Sequence, residues 1–290
     1  MKRPLEQEST KPRILVVAGS DSGGGAGIQA DIKTITMLGG FAMTAVTALT
    51  AQNTLGVQEV LPIAAEFVAL QMKSVLTDIG ADAIKTGMLG SARVVEAVAN
   101  MCESLAFGVP LIVDPVMVAK GGARLLDKGA HDALVLRLLP LASLVTPNVP
   151  EAEILTGMTI KTPRDLERAA DALLGLGPSA VLMKGGHLEG DTVVDILRTA
   201  DGADHHFEGP RIVSRSTHGT GCTLASGIAA GIAEGLTLQG AVARARDYVV
   251  QAIRLAPGLG KGHGPLEFAH PLQRIEAGPA SSSPSSPALH

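Results

Sequence analysis

The chain reads as an α/β protein, a three-layer fold in which a mostly parallel central sheet is covered by helices on both faces. Three observations predict this. Short runs such as 13–18, 111–114 and 180–183 are apolar without polar alternation, which is how strands buried on both faces read. Amphipathic stretches long enough for crossover helices separate those runs. Hydrophobic residues make up 46% of the 290 residues and charged ones 18%, so a sizeable core is available.

The elements follow in order. Residues 13–18 form the first strand, closed by the glycine-rich turn 19–27 and followed by a helix over 28–38. A strand over 42–49 precedes a helix over 64–78. The short strand 83–86 leads to a helix over 91–104, and the buried strand 111–114 ends at Pro115. A helix near 127–139 leads to a short strand at 144–146. Residues 163–176 read as a helix and 180–183 as a strand. Segments 193–197 and 205–207 suit a hairpin near the sheet edge. Helices over 220–234 and 238–255 close the series.

No repeat or linker divides these elements, so residues 13–272 are expected to form one domain. Residues 1–12 read as a disordered lead-in. The Ser/Pro-rich stretch 273–290 is too low in complexity to bury a core and is expected to be a flexible tail.

Composition excludes several classes. Aromatic residues are 2% of the chain and the net charge is −4. Stacking platforms for nucleic acid are therefore not expected, and neither nucleic acid nor an anionic membrane is the expected partner. The two cysteines, Cys102 and Cys222, show no metal-ligand spacing. With no signal-peptide pattern and no run of about 18 apolar residues, a cytoplasmic location is expected.

The most informative motif is Ser-Thr-His-Gly-Thr-Gly-Cys-Thr at 216–223, which runs into a small-residue helix. Such a turn points backbone N–H groups into one space at the positive end of a helix, where an anion is held. Gly219, Thr220, Gly221 and Cys222 are the expected cradle, with Thr217 and His218 beside it. Cys222 is either a thiol whose pKa the helix N-terminus lowers or a small buried residue packing the helix, whereas Cys102 reads as core. No segment fits the P-loop, and neither glycine cluster completes the dinucleotide pattern.

Other residues carry two readings from spacing alone. Four glycines in 23–27 exceed the needs of one turn, which favours a close approach of backbone to ligand. Asp31, one helical turn on, is either a dipole-complementing acid or an acceptor for a ligand amine or hydroxymethyl group. Gln52 suits either a turn or the edge of a heterocycle, and Met88 either the core or a ligand contact. Asp114 closes a strand where ligands bind in such sheets. Asn148 and Glu151 fit a helix cap or a magnesium-organising glutamate. Lys184 and Lys261, both next to glycines, are either surface charges or phosphate partners. His205 and His206 point to opposite faces of a strand, which disfavours one shared metal.

Together the segments 18–31, 50–54, 85–89, 113–117, 146–152, 183–187, 218–223 and 260–265 resemble the bacterial hydroxymethylpyrimidine/phosphomethylpyrimidine kinases of thiamine biosynthesis, within the ribokinase-like superfamily. The resemblance runs from about Arg13 to Phe268. It implies ATP with Mg²⁺ and two successive phosphorylations of a small pyrimidine, to the monophosphate and then the diphosphate. It implies that Asp31, Gln52, Met88 and Val116 hold the ring. Asp114 and Glu151 would serve magnesium, and Lys184 and Lys261 the nucleotide phosphates. Cys222 would serve as base for the alcohol of the first step, so its loss is expected to harm that step more than the second. A homodimer is also implied. Two departures matter: many relatives have Asp-Pro-Ser-Gly-Gly where this chain has Asp21-Ser22-Gly23-Gly24-Gly25, and sugar kinases usually carry Asp at the position of Cys222. Some pyridoxal kinases carry the cysteine, which keeps pyridoxal phosphorylation as the alternative.

Overall fold

The computed structural model describes residues 11–117 and 128–272. Residues 118–127, the expected tail 273–290 and most of the expected lead-in lie outside the described residues. Among the described residues nine strands form one sheet: β1 (Arg13–Asp21), β2 (Phe41–Asn53), β3 (Gly56–Pro62), β4 (Ala83–Thr86), β5 (Leu111–Val113), β6 (Leu144–Val145), β7 (Ala180–Met183), β8 (Thr192–Thr199) and β9 (Asp204–Pro210). Their order is β3-β2-β1-β4-β5-β6-β7-β8-β9. From β2 to β7 the neighbours are parallel, while β3, β8 and β9 add antiparallel edges.

Both faces of the parallel strands are covered, and β1 shows why its sequence does not alternate in polarity. Leu15 and Val17 enter one core, while Ile14, Val16 and Ala18 enter the other. The first core is roofed by α2 (Ala65–Asp78), α3 (Ala92–Leu105), α4 (Lys128–Ala133), α5 (Val149–Thr156) and α6 (Pro163–Leu174). The second is covered by α1 (Gly27–Met37), α7 (Thr220–Ala233) and α8 (Leu238–Arg254). Cys102 lies in the first core, and burial pushes its thiol up to about 12.

Small residues bring α7 and α8 together. A Cβ on Gly231 would sit 2.8 Å from the Ala241 Cβ, and one on Gly227 3.0 Å from the Ala245 Cβ. A larger residue at either position would push the helices apart and move the N-terminus of α7, where the anion-binding sequence lies.

Three elements differ from the sequence-based expectation. β3 was not anticipated; its residues are mostly exposed, so it lacks the half-buried alternation that marks a strand. α5 was not among the expected helices, although the cap reading of Asn148 and Glu151 allowed one, and the two residues form a capping box at its start. The helix expected over 127–139 is α4 followed by a π turn at Leu134–Leu138 and a 3₁₀ turn at Leu139–Leu141, where Pro140 lacks the N–H that would continue an α-helix.

Candidate active site

A cavity of about 420 Å³ opens at the carboxyl ends of β1, β4, β5 and β7, against the N-terminus of α7. Ligands bind at this end of open parallel sheets. Its lining includes Gln52, Met88 and Val116, the mutually contacting Asp114, Lys184 and Glu151, and the run Thr217 to Cys222. Twelve of the fourteen site residues expected from the sequence thus line one space.

The run 217–222 is shaped by close packing of backbone. Gly219 has φ +84°, and a Cβ there would come within 1.9 Å of the Gly25 carbonyl oxygen. Only glycine satisfies both the left-handed backbone and that contact. A Cβ on Gly221 would instead point into the cavity, 3.3 Å from the Lys184 ammonium and 3.5 Å from Asp114 Oδ2. The space above Gly221 therefore faces a lysine, a carboxylate and the start of a 14-residue helix, a setting for a phosphate and a cation together.

Asp114 emerges from β5 buried, held by Lys184 Nζ at 3.1 Å and by Thr146 Oγ1 at 3.2 Å. Lys184 Nζ also lies 4.0 Å from Glu151 Oε2. Burial works against the Lys184 charge, but Asp114 and Glu151 outweigh it and raise the ammonium pKa. Burial pushes the Glu151 carboxyl up to about 7, with Lys184 opposing the shift and Asp114 adding to it. Glu151 Oε2 also accepts the Asn148 N–H at 2.8 Å. Glu151 thus both caps α5 and faces the cavity.

Two expected site residues are corrected. Asp31 does not line the cavity. It is fully buried, paired with Lys85 Nζ at 2.9 Å and accepting from Ser226 Oγ at 2.6 Å; its carboxylate turns into the protein, where a buried ammonium needs it. Lys261 is exposed and lines neither this cavity nor its neighbour, while Gly262 beside it packs on Thr54.

The Cys222 thiol also departs from expectation. Burial pushes it up to about 12; Lys85 opposes this, and the Asp31 and Asp114 carboxylates reinforce it. Desolvation and anionic neighbours outweigh the helix N-terminus. The glycines of 23–27 likewise serve the protein more than a ligand. They fold around the Asp21 carboxylate, which accepts N–H bonds from Gly23 at 2.8 Å, Gly25 at 3.1 Å and Ala26 at 2.8 Å. Burial works to raise the Asp21 pKa, but His218 and the Gly23 and Ala26 N–H groups outweigh it and hold it below the ordinary value.

Asp21 and Lys85 are cavity residues that the sequence reading did not select. A lone lysine inside the apolar strand β4 was the available signal, because a buried ammonium requires a carboxylate. A second cavity of about 400 Å³ is lined by Val213, Arg215, Ile253, Ala256 and Leu259 among others, and by Ser216, the residue before Thr217.

An anion cradle at the carboxyl end of such a sheet, in one space with residues suited to a flat polar ring, defines a small-molecule kinase of the ribokinase-like class. The chain belongs to the phosphomethylpyrimidine kinase family, whose model matches residues 21–267. It is 54% identical over 254 residues to a bifunctional thiamine biosynthesis protein of Geobacter sulfurreducens, covering 87% of this chain and 51% of that protein, so it spans about half of that relative's length. It is 49% identical to the hydroxymethylpyrimidine/phosphomethylpyrimidine kinase of Streptomyces coelicolor, covering 91% of this chain and 96% of that one. Among solved structures, the ADP complex of Bacillus subtilis pyridoxal kinase superposes with a TM-score of 0.83 at 32% identity, covering 91% of this chain and all of that one.

Proposed function

We propose that the chain phosphorylates 4-amino-5-hydroxymethyl-2-methylpyrimidine with ATP, first to the monophosphate and then to the diphosphate, in thiamine biosynthesis. The observation that carries the reading is the cavity itself. Its lining brings the Gln52 amide, the apolar Met88 and Val116 and the glycine-rich run 219–222 into one space. A ring held by the first three residues would carry its hydroxymethyl group toward that run.

In each step an oxygen of the substrate attacks the γ-phosphorus of ATP and ADP leaves. Positioning and charge stabilisation carry most of such a reaction. The backbone N–H groups of 219–222 stabilise the transferring phosphoryl oxygens, and Lys184 neutralises phosphate charge. Cys222 joins the cradle as a thiol, so the alcohol proton of the first step passes to the phosphoryl oxygens rather than to sulfur.

Magnesium fits the donor set. Among the described residues no cluster of three or more metal-binding side chains occurs, but Mg²⁺ takes one or two carboxylates plus phosphate oxygens and water. Asp114 and Glu151 would hold it, and it would supply positive charge to the phosphates. The second cavity, next to Thr217, suits the nucleoside end of ATP. Among the described residues no helix is long and apolar enough to cross a membrane; a cytoplasmic location is part of the proposal. So is a homodimer, supported by exposed Leu61, Phe67 and Leu70 on β3 and α2.

The test is ATP consumption with the hydroxymethylpyrimidine, its monophosphate and pyridoxal in parallel, with products resolved by mass. Turnover of both pyrimidines to the diphosphate supports the reading. Turnover of pyridoxal alone replaces it with pyridoxal phosphorylation in the same cradle.

A further inference from the structure

His218 Nε2 lies between two cavity residues, 2.8 Å from Asp21 Oδ2 and 3.2 Å from the amide of Gln52. The hydrogen positions follow from the partners. Asp21 Oδ2 already accepts from the Gly25 and Ala26 N–H groups, and a carboxylate so surrounded takes a donor from the histidine. His218 Nε2 therefore carries the proton. A protonated nitrogen cannot accept from an amide NH₂.

The single Nε2 hydrogen, given to Asp21 at 2.8 Å, is shared with Gln52 at 3.2 Å only if the amide turns its oxygen toward His218 and its nitrogen toward Thr50. The two ends of an amide are told apart by their partners, not by their shape. The Thr50 side agrees. Its hydroxyl lies 3.2 Å from the other end of the Gln52 amide and donates its only hydrogen to the Ser20 carbonyl at 2.8 Å. Its lone pairs are left to accept from an amide NH₂. His218 and Thr50 thus specify the same orientation from opposite ends.

We infer that His218, anchored by Asp21, is a positioning residue that fixes the Gln52 amide, and that this fixed amide makes the pocket select an amino-substituted ring edge over an oxo-substituted one. The inference rests on the proposed pyrimidine substrate. With its oxygen on His218 and one N–H on Thr50, Gln52 keeps one lone pair and one N–H for the ring. The 4-amino group donates to the lone pair, and the adjacent ring nitrogen accepts the N–H. A 4-oxo ring in its N–H tautomer reverses both roles and meets donor with donor and acceptor with acceptor. An amide free to turn would accommodate either ring.

The experiment compares kcat/KM for the 4-amino substrate with that for its 4-oxo analogue, on wild-type enzyme, His218→Leu, His218→Gln and Thr50→Val. Both substrates are read on the same preparation, so loss of folded enzyme cancels in the ratio. Wild type is expected to favour the amino ring strongly. His218→Leu should lower that preference about tenfold or more, mainly through KM, since a hydrogen bond of this kind contributes roughly that factor. His218→Gln, whose amide N–H reaches about as far as Nε2, should restore much of it, and Thr50→Val should lower it by a smaller factor. A preference unchanged in both His218→Leu and Thr50→Val, with phosphorylation of the amino ring intact, overturns the role of the amide. No phosphorylation of the amino ring by wild type overturns the proposed function, and this inference with it.

Discussion

The Lys85 ammonium sits 2.9 Å from both carboxylate oxygens of Asp31, with both side chains fully out of solvent. The pair joins β4 to α1, and Ser226 on α7 donates to the same carboxylate. Ser226 lies one helical turn beyond Cys222, so the pair ties the anion cradle to the sheet. Burial works against the Lys85 charge, but Asp31, with Cys222 and Asp114 adding to it, outweighs it, and the ammonium pKa is raised.

Asp31→Asn is therefore expected to act on stability. It leaves a buried ammonium without its counter-charge, a change that typically costs about 3–5 kcal/mol. Urea unfolding of the variant should show that loss, while the folded fraction keeps a pyrimidine KM within a few-fold of wild type. A normal unfolding midpoint with a greatly raised KM would return Asp31 to the role of ring ligand.

The two glycines of the cradle separate folding from catalysis. Gly219→Ala meets a backbone oxygen at 1.9 Å from a left-handed residue, so the expected result is poor folding, seen as a lowered thermal midpoint. Gly221→Ala places a methyl group over the Lys184–Asp114 pair, where a phosphate would sit. It should leave the midpoint nearly unchanged and slow both phosphorylations by about 10²-fold or more, the usual loss when an anion-stabilising donor is blocked. Full activity in Gly221→Ala would show that the phosphoryl group does not pass over this glycine.

How far the sequence could be read follows from the range of the interactions involved. The parallel strands were legible because burial on both faces writes a continuous apolar run, and the cradle because its glycines and helix start are contiguous. β3 has almost no buried face, so no pattern marked it. The role of Asp31 was illegible locally, since a carboxylate one turn into a helix reads alike whether it faces ligand or protein. The partner that decides it, Lys85, is 54 residues away on another strand. The surplus glycines of 23–27 were explained by a similar long-range contact, for a Cβ on Gly25 would strike His218 Cδ2 at 2.7 Å.

Asp21 makes the acid limb of stability predictable in sign. Its folded pKa lies below the ordinary value of 3.8. Its contribution is therefore fully present above that value and is lost as pH falls through the folded one. Asp21→Asn should be less stable than wild type at pH 7, and the difference between the two urea midpoints should narrow as pH falls below 3.8 and through the lowered folded pKa. A difference that stays constant across this range would mean that the carboxylate charge contributes nothing to the loop.

Cys222 distinguishes two chemical roles. A base would be needed only for the first phosphorylation, where an alcohol attacks; in the second the nucleophile is already an anionic phosphate oxygen. A thiol pushed up to about 12 is protonated at neutral pH and, on the proposed function, would serve as a donor in the cradle, which both steps would use. Cys222→Ala is accordingly expected to slow both steps by a similar factor, about 10- to 100-fold for one hydrogen bond to a charged group, with Cys222→Ser recovering much of each rate. The measurement is single-turnover phosphorylation of the alcohol and of the monophosphate by the same enzyme preparation. Loss confined to the first step would mean that binding of ATP and its metal reverses the resting electrostatics and frees the thiolate, and the base role expected from the resemblance would then stand.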